Sequence, residues 1–495
     1  MIRRLVTESE VKELFEIYFN DMNPSISLLD PLLYTPEKTF DRSPFLFGVI
    51  CSIASRFMPN RYDLFRMLSY HAQQCASGDL IFGKKTVESV QAYILMALYP
   101  MPSRQRSENR SWMYLGCAIR LASKLNLHYL PSTVVIGETA TPHMSTDRAQ
   151  QEAHTRELLN RTRTCFICHN LDQSFGMLLG KPLSVRDDWV GPLLEKYIEA
   201  LGDGWWCETT FGLKFDLHIC ALNALLRAIA KFHQTVFSDS GGGVNTKLPL
   251  ETLAQSFEDE IEELGQKWSD RIGRLTPAED TQLVFRLDLL RFEYSYNRLM
   301  ALVFAFQSGF RGVVMTTETV WLDRCHRAAI ETLNNIIDLA PNPYLRFAPA
   351  SFSISATFAC TVLLKLVRPR FSNGLEAHQE EEILKLVARV IDMLNTIAVD
   401  EHHTPRRCAI FLRSLFAQAE SRRVDHLHLL QRHPTYLRLR TRMSTVCNNP
   451  LADRLVTTLS RNSQIRTRMI RFRKCSLMVI GSGIMISSGQ GSVPR

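Results

Sequence analysis

The chain is a succession of apolar stripes at helical spacing separated by short polar breaks, with no two-residue alternation of any length. The clearest stripe runs from Arg110 to His128. There Trp112, Leu115, Ile119, Ala122 and Leu125 recur three or four residues apart and so share one helical face. Arg120 and Lys124 fall on the flank or the exposed side. A glycine inside a helix costs about 1 kcal/mol against alanine, so Gly116, with the small Ala118 beside it, predicts the close approach of another helix. Asn126, just past the stripe, predicts a left-handed cap.

The rest of the pattern reads the same way. Ser9 is the expected cap of a helix through Val11, Leu14, Phe15, Tyr18 and Phe19, with Glu10 and Glu13 in its first turns, and Asn23-Pro24 is its expected end. A loop with Ile26, Leu28 and Leu29 leads to Pro44. Helices are predicted over Phe45–Phe57, over Arg61–Ser77 and from the cap Thr86 to Pro100. The polar stretch His128–Glu152, with Pro131, Gly137 and Pro142, reads as a surface loop. A long helix then runs from near Ala153 to a stop at Gly180 and Pro182. Further stripes lie at Leu217–Phe237, Leu253–Trp268, Thr281–Phe306, Thr319–Leu339, Ser351–Val367, Glu380–Val399 and Arg407–Arg422. The fold class is therefore all-α, an irregular multi-helix bundle. The uncharged run Ala350–Leu364 falls short of the ~20 apolar residues of a membrane span and reads as a buried helix. Ser238-Asp-Ser-Gly-Gly-Gly-Val-Asn245 is the best linker. It divides the body into residues 1–237 and 251–431, with 238–250 as the connecting loop.

Composition changes this picture in one place. Apolar residues at 45% and charged ones at 22% describe a globular chain with a sizeable core. Net charge is +8, yet residues 432–495 carry twelve Lys/Arg against one acid, Asp453, a local balance of +11 that leaves −3 for residues 1–431. A body without net positive charge is a poor nucleic-acid binder, because phosphate neutralisation supplies much of that affinity. The basic end, with no apolar period tying it to the body, is expected to be poorly ordered. The N-terminus has no apolar signal region, so the twelve cysteines are expected as reduced intracellular thiols.

Candidate chemistry is sparse. Cys165-Phe-Ile-Cys168-His169 offers metal-like spacing, but it lies in a helical stripe with no second cysteine pair nearby, and it reads as buried helical cysteines. His402, His403 and Cys408 read as an exposed loop near Pro405. His426 and His428 do not face each other on a helix. Asp187-Asp188 is a solvated loop pair. No glycine-rich phosphate loop and no nucleophile elbow occurs. No catalytic or cofactor residue is expected.

The order of residues says more than their period. Trp112-x-x-Leu115-Gly116-x-Ala118-x-Arg120-x-Ala122-x-x-Leu125-x-Leu127-His128 resembles the signature helix of the fungal-specific transcription factor domain, the middle homology region of fungal zinc-cluster regulators. Val90-Gln-Ala-Tyr-Ile-Leu95 is similar to the family's preceding helix. The block with Arg161, Leu171-Asp172 and Gly180-Lys-Pro182, followed by acids, resembles the family's second motif. Two departures stand out. Asn126 replaces a usual glycine and keeps its capping role, and Cys165-Phe166 replaces an aromatic pair ending in tryptophan. The resemblance covers roughly residues 9–235 and implies a helical regulatory bundle in which Trp112, Leu115, Gly116, Ala118, Arg120, Leu125, His128, Asp172, Gly180 and Pro182 are structural. It implies a nuclear transcription regulator with transcription machinery or co-regulators as partners, a homodimer as a further option, and no membrane. The family's DNA-reading module is a zinc binuclear cluster of two Cys-x2-Cys-x6-Cys halves, and that spacing occurs nowhere in these residues. Zinc is therefore expected only in a separate module, and DNA contact only indirectly or through it. Arg466, Arg468, Arg471, Arg473 and Lys474 are candidates for nuclear import or phosphate contact. The alternatives are a helical co-regulator or interaction scaffold without DNA binding, and an all-helical biosynthetic enzyme, for which the clustered acids or metal triad are missing.

Overall fold

The computed structural model describes residues 5–59, 61–101, 110–128, 145–179, 183–185, 214–236, 250–309, 318–367 and 377–432, and among these it is all-α, with no strand. Helix α1 (Glu8–Glu16) starts two residues earlier than Ser9 would allow. Thr7 is the cap: its Oγ1 accepts from the Glu10 N–H at 3.3 Å, and Glu10 Oε2 accepts from the Thr7 N–H at 2.7 Å. This reciprocal box needs its acid at the third helical position, which fixes Thr7 and not Ser9. A π-helical turn (Ile17–Met22) follows. Asn23-Pro24 then opens α2 (Asn23–Ile26) instead of ending the helix, because proline is tolerated in a first turn. The α2 terminus is set by Ser27 in the left-handed region at φ 60. The apolar loop expected here is held by a side chain. Asn23 Oδ1 accepts from the Leu28 and Leu29 N–H groups at 3.2 and 3.3 Å, and its Nδ2 donates to the Leu29 carbonyl at 3.1 Å.

Helices α3 (Pro36–Arg42), α4 (Pro44–Ser55), α5 (Tyr62–Phe82), α6 (Val87–Leu98), α7 (Ser111–Lys124) and α8 (Ser145–Leu179) complete a first core around Leu14, Tyr18, Leu46, Ile50, Leu95 and Leu115. Thr86 caps α6 as expected, accepting from the Ser89 N–H at 3.1 Å. Helix α8 begins at Ser145, within the stretch expected to be loop. The second core is built by α9 (Asp216–Val236), α10 (Leu250–Arg274), α11 (Thr281–Gly309), α12 (Glu318–Asp338), α13 (Ala350–Leu366), α14 (Ala377–Ile397) and α15 (Thr404–Arg432), around Leu225, Phe285, Leu299, Leu333, Leu363 and Val387. Helix α13 is the uncharged run, buried along most of its length, and no described helix is long and apolar enough to cross a membrane.

The changeover between the cores falls on α9, where Ile219 packs into the first and Leu225 into the second. The Gly-rich stretch 238–249, the tail 433–495 with Arg466, Arg468, Arg471, Arg473 and Lys474, and the pair Gly180 and Pro182 all lie outside the described residues. Across the joint, Arg56 at the end of α4 pairs with Asp400 at 2.9 Å. The Tyr99 hydroxyl donates to the Phe347 carbonyl at 2.9 Å, and Phe57 packs on Phe347 with ring centroids 4.6 Å apart. The expectation of an exposed loop at 402–408 is corrected here. His402 is exposed, but His403 is buried with its ring against Phe57, and Cys408 is buried in the second core where α15 packs on α13.

Candidate functional site

Helix α7 buries Leu115, Ala118, Ile119 and Ala122 against the first core, while Trp112 and Leu125 are half-buried at its edges and Arg120 is exposed. Its end is a Schellman cap. Asn126 takes φ 52, the Leu127 N–H reaches the Ala122 carbonyl at 3.1 Å, the Asn126 N–H reaches Ser123 at 3.1 Å, and Leu127 is buried beneath. His128 follows, half-buried. Gly116 does not serve the close approach predicted for it: no described atom lies within 4 Å of where its Cβ would stand. The small residue on the packed side is Ala118.

Helix α8 carries a line of buried polar side chains that ties the pieces together. Asn160 donates from Nδ2 to the Tyr34 hydroxyl at 2.7 Å and accepts from Gln91 Nε2 at 2.9 Å. One helical turn further, Arg163 is fully buried and grips Asp216, the first residue of α9, through Nε and Nη2 at 2.6 and 2.8 Å. Burial alone would lower the Arg163 pKa; Asp216 more than reverses this and leaves it raised. Asn170 Nδ2 donates to the Ile219 carbonyl at 3.2 Å, and its Oδ1 accepts from Asn223 at 2.8 Å. Asp172, predicted from the Leu-Asp motif, has a definite task. Its Oδ2 accepts from the Ser184 and Val185 N–H groups at 2.7 and 2.8 Å, clasping the segment that leaves the helix. Burial still pushes its carboxyl up, against these hydrogen bonds.

Cys165 and Cys168 are buried in α8. Burial pushes the Cys165 thiol up to about 12 and the Cys168 thiol well above its ordinary value, as expected of cysteines packed among apolar neighbours. Among the described residues no group of three or more His, Cys, Asp or Glu is placed to hold a metal ion, and the described cysteines do not fit a zinc cluster. Sequence reasoning missed Asn160, Arg163, Asn170 and Asp216. The available signal was polar residues recurring inside an otherwise apolar stripe.

The arrangement is a helical one: two cores, a helix whose residues enter both, and a spine of buried polar side chains along α8. The chain belongs to the fungal specific transcription factor domain family, whose model matches residues 15–263. It is similar to protein priB of Lentinula edodes, 23% identical over 366 residues, 74% of this chain and 56% of that protein. It is also similar to the transcriptional activator of proteases prtT of Emericella nidulans, 21% identical over 435 residues, 85% of this chain and 59% of that protein. The chain thus spans less than two thirds of either relative.

Proposed function

We propose that this chain is the regulatory region of a nuclear transcription regulator, that its helical body gates an activation function, and that it catalyses no reaction. One observation carries this reading: two separate hydrophobic cores meet across α8, α9 and the α4–α15 joint on hydrogen bonds and ion pairs such as Arg163–Asp216 and Arg56–Asp400. A joint in which polar pairs accompany apolar contacts such as Phe57 on Phe347 can be re-paired with less loss of buried apolar surface than a continuous core, as a two-state regulatory element requires. The name of the Emericella nidulans relative, a transcriptional activator, supports the same direction. In this reading the body needs no cofactor, zinc belongs to a separate DNA-reading module, DNA contact passes through that module or a partner, and the basic run Arg466–Lys474 serves nuclear import.

The test is a reporter driven by residues 1–431 fused to an unrelated DNA-binding module. Arg56→Ala and Asp400→Ala loosen the joint at its rim and are expected to change output severalfold at equal protein level; unchanged output overturns the gating. Deleting residues 432–495 is expected to reduce nuclear accumulation. The co-regulator reading is favoured by the end of α5, where Leu80, Ile81 and Phe82 stand 66, 77 and 80% exposed. Tight, sequence-selective DNA binding by this chain alone would overturn both.

A further inference from the structure

Helix α11 is the central element of the second core, apolar around most of its circumference. Two polar stripes break this: Asp288, Arg291, Ser295 and Arg298 on one side, and on another Arg286, Glu293 and Asn297, which stand seven and eleven residues apart above one another. The second stripe faces a cavity of about 120 Å³ between α8, α9, α11, the start of α13 and α2. The Arg286 side chain is 3% exposed. Its Nη1 donates to the Ser25 carbonyl at 2.7 Å, and its Nε has no hydrogen-bond partner among the described residues. Glu293 Oε2 likewise has none. The two head groups lie at the same cavity yet form no ion pair. They are near enough that each acts on the other: burial lowers the Arg286 pKa and Glu293 offsets it, while burial raises the Glu293 carboxyl and Arg286 offsets it. His218, also buried, is held neutral by burial and by Arg286. Much of the remaining wall is apolar, with Phe175, Leu178, Leu222 and Phe352, and it also carries Asn170, Ser174, Ser351 and Ser355.

Buried ions are normally paired, because desolvation is costly unless a partner replaces the water. Here one positive and one negative group face the same space with hydrogen-bonding capacity unused. An anionic ligand would satisfy Arg286 and be repelled by Glu293; a cation would meet the reverse. A molecule carrying both charges, with an apolar body, complements both head groups and the apolar part of the wall. At roughly 10–15 Å³ for one water, the cavity holds about ten non-hydrogen atoms, the size of a single amino acid. We propose that this cavity is an effector site for a free apolar α-amino acid, its carboxylate on Arg286, its ammonium on Glu293, and its side chain against Phe175, Leu222 and Phe352. The proposal deepens the regulatory reading and rests on it for its biological role. Because the cavity is walled by α8 and α9 on one side and by α11 and α13 on the other, an occupant would bridge the two cores and bias their joint.

The test is calorimetric titration of the purified full chain with leucine, methionine and phenylalanine. Saturable binding of at least one is expected. For that ligand, the matching amide, which lacks the carboxylate, and the matching acid without its amine are each expected to bind about 10- to 100-fold more weakly, the range for a charge-assisted hydrogen bond. Arg286→Met is expected to erase the difference between the amino acid and its amide, and Glu293→Gln the difference between the amino acid and the acid. Ser174→Leu fills the cavity from α8 without touching either charge and is expected to abolish binding while the chain melts as wild type. No saturable heat with any of the three, equal binding of amino acid and amide, or unchanged binding by Ser174→Leu would overturn the site. The reporter test above is independent of these outcomes, so failure of the site and failure of the gating are separable.

Discussion

Gly116 sits in the middle of α7 with no described atom within 4 Å of where its Cβ would stand, and its backbone is ordinary helix. Alanine there loses nothing and gains helix propensity, so Gly116→Ala is expected to stabilise the chain by about 0.5–1 kcal/mol. Ten residues on, Asn126 does what the glycine's reputation suggests: it holds φ 52 at the Schellman cap. Asn126→Ala puts a Cβ without a compensating side-chain hydrogen bond in the left-handed region, at a cost of about 1 kcal/mol, whereas Asn126→Gly is tolerated. Urea melts of the three variants check both statements. A destabilised Gly116→Ala would mean that the helix meets a neighbour there after all.

At the scale of elements, the connection of α8 to α9 rests on Arg163 and Asp216, a bidentate pair with side chains 0 and 1% exposed. Removing one partner strands the other as a buried charge, so Arg163→Met is expected to cost about 3–5 kcal/mol. Replacing both, Arg163→Met with Asp216→Leu, is expected to recover most of that loss, because the pair's own desolvation cost disappears too. Thermal unfolding of the two variants decides it; a double variant as unstable as the single would show that the pair itself stabilises the joint. These residues also mark the limit of what the sequence discloses. The helices were legible, since apolar residues three and four apart leave one way to bury them. The capping residues Thr86 and Asn126 were legible because their signals are local. Thr7 was missed for Ser9 because two candidates only two residues apart differ in where Glu10 can reach back. Arg163 and Asp216 lie 53 positions apart, and Arg286 meets Ser25 across 261. Spacing along the chain carries no trace of such a meeting, so the polar spine and the charged cavity emerge only from the packing.

At the scale of the whole molecule, the joint between the cores holds a group that titrates. His403 is 7% exposed against Phe57, and its Nδ1 accepts from the Val399 N–H at 3.2 Å, which requires the neutral ring. Burial, with Arg56 and Arg346 nearby and against the pull of Asp400, brings its pKa down from 6.5 to about 3. The unfolded chain therefore binds this proton between pH 6.5 and 3 while the folded chain does not. The stability that depends on neutral His403 is complete above pH 6.5 and is lost as pH falls through that window, by roughly 1.4 kcal/mol per unit. His233, brought down to about 4 by burial, and His218 act in the same direction. Asp400, held low by Arg56 despite burial, adds its own loss only at lower pH, where carboxylates protonate. His403→Asn keeps an acceptor near the Nδ1 position but cannot gain the proton. It is expected to be less stable than wild type at pH 7.5 for want of the ring, yet to lose about 2 kcal/mol less between pH 7.5 and 5.0 in urea melts. Parallel pH profiles for the two chains would show that His403 is not the group through which acid loosens the joint.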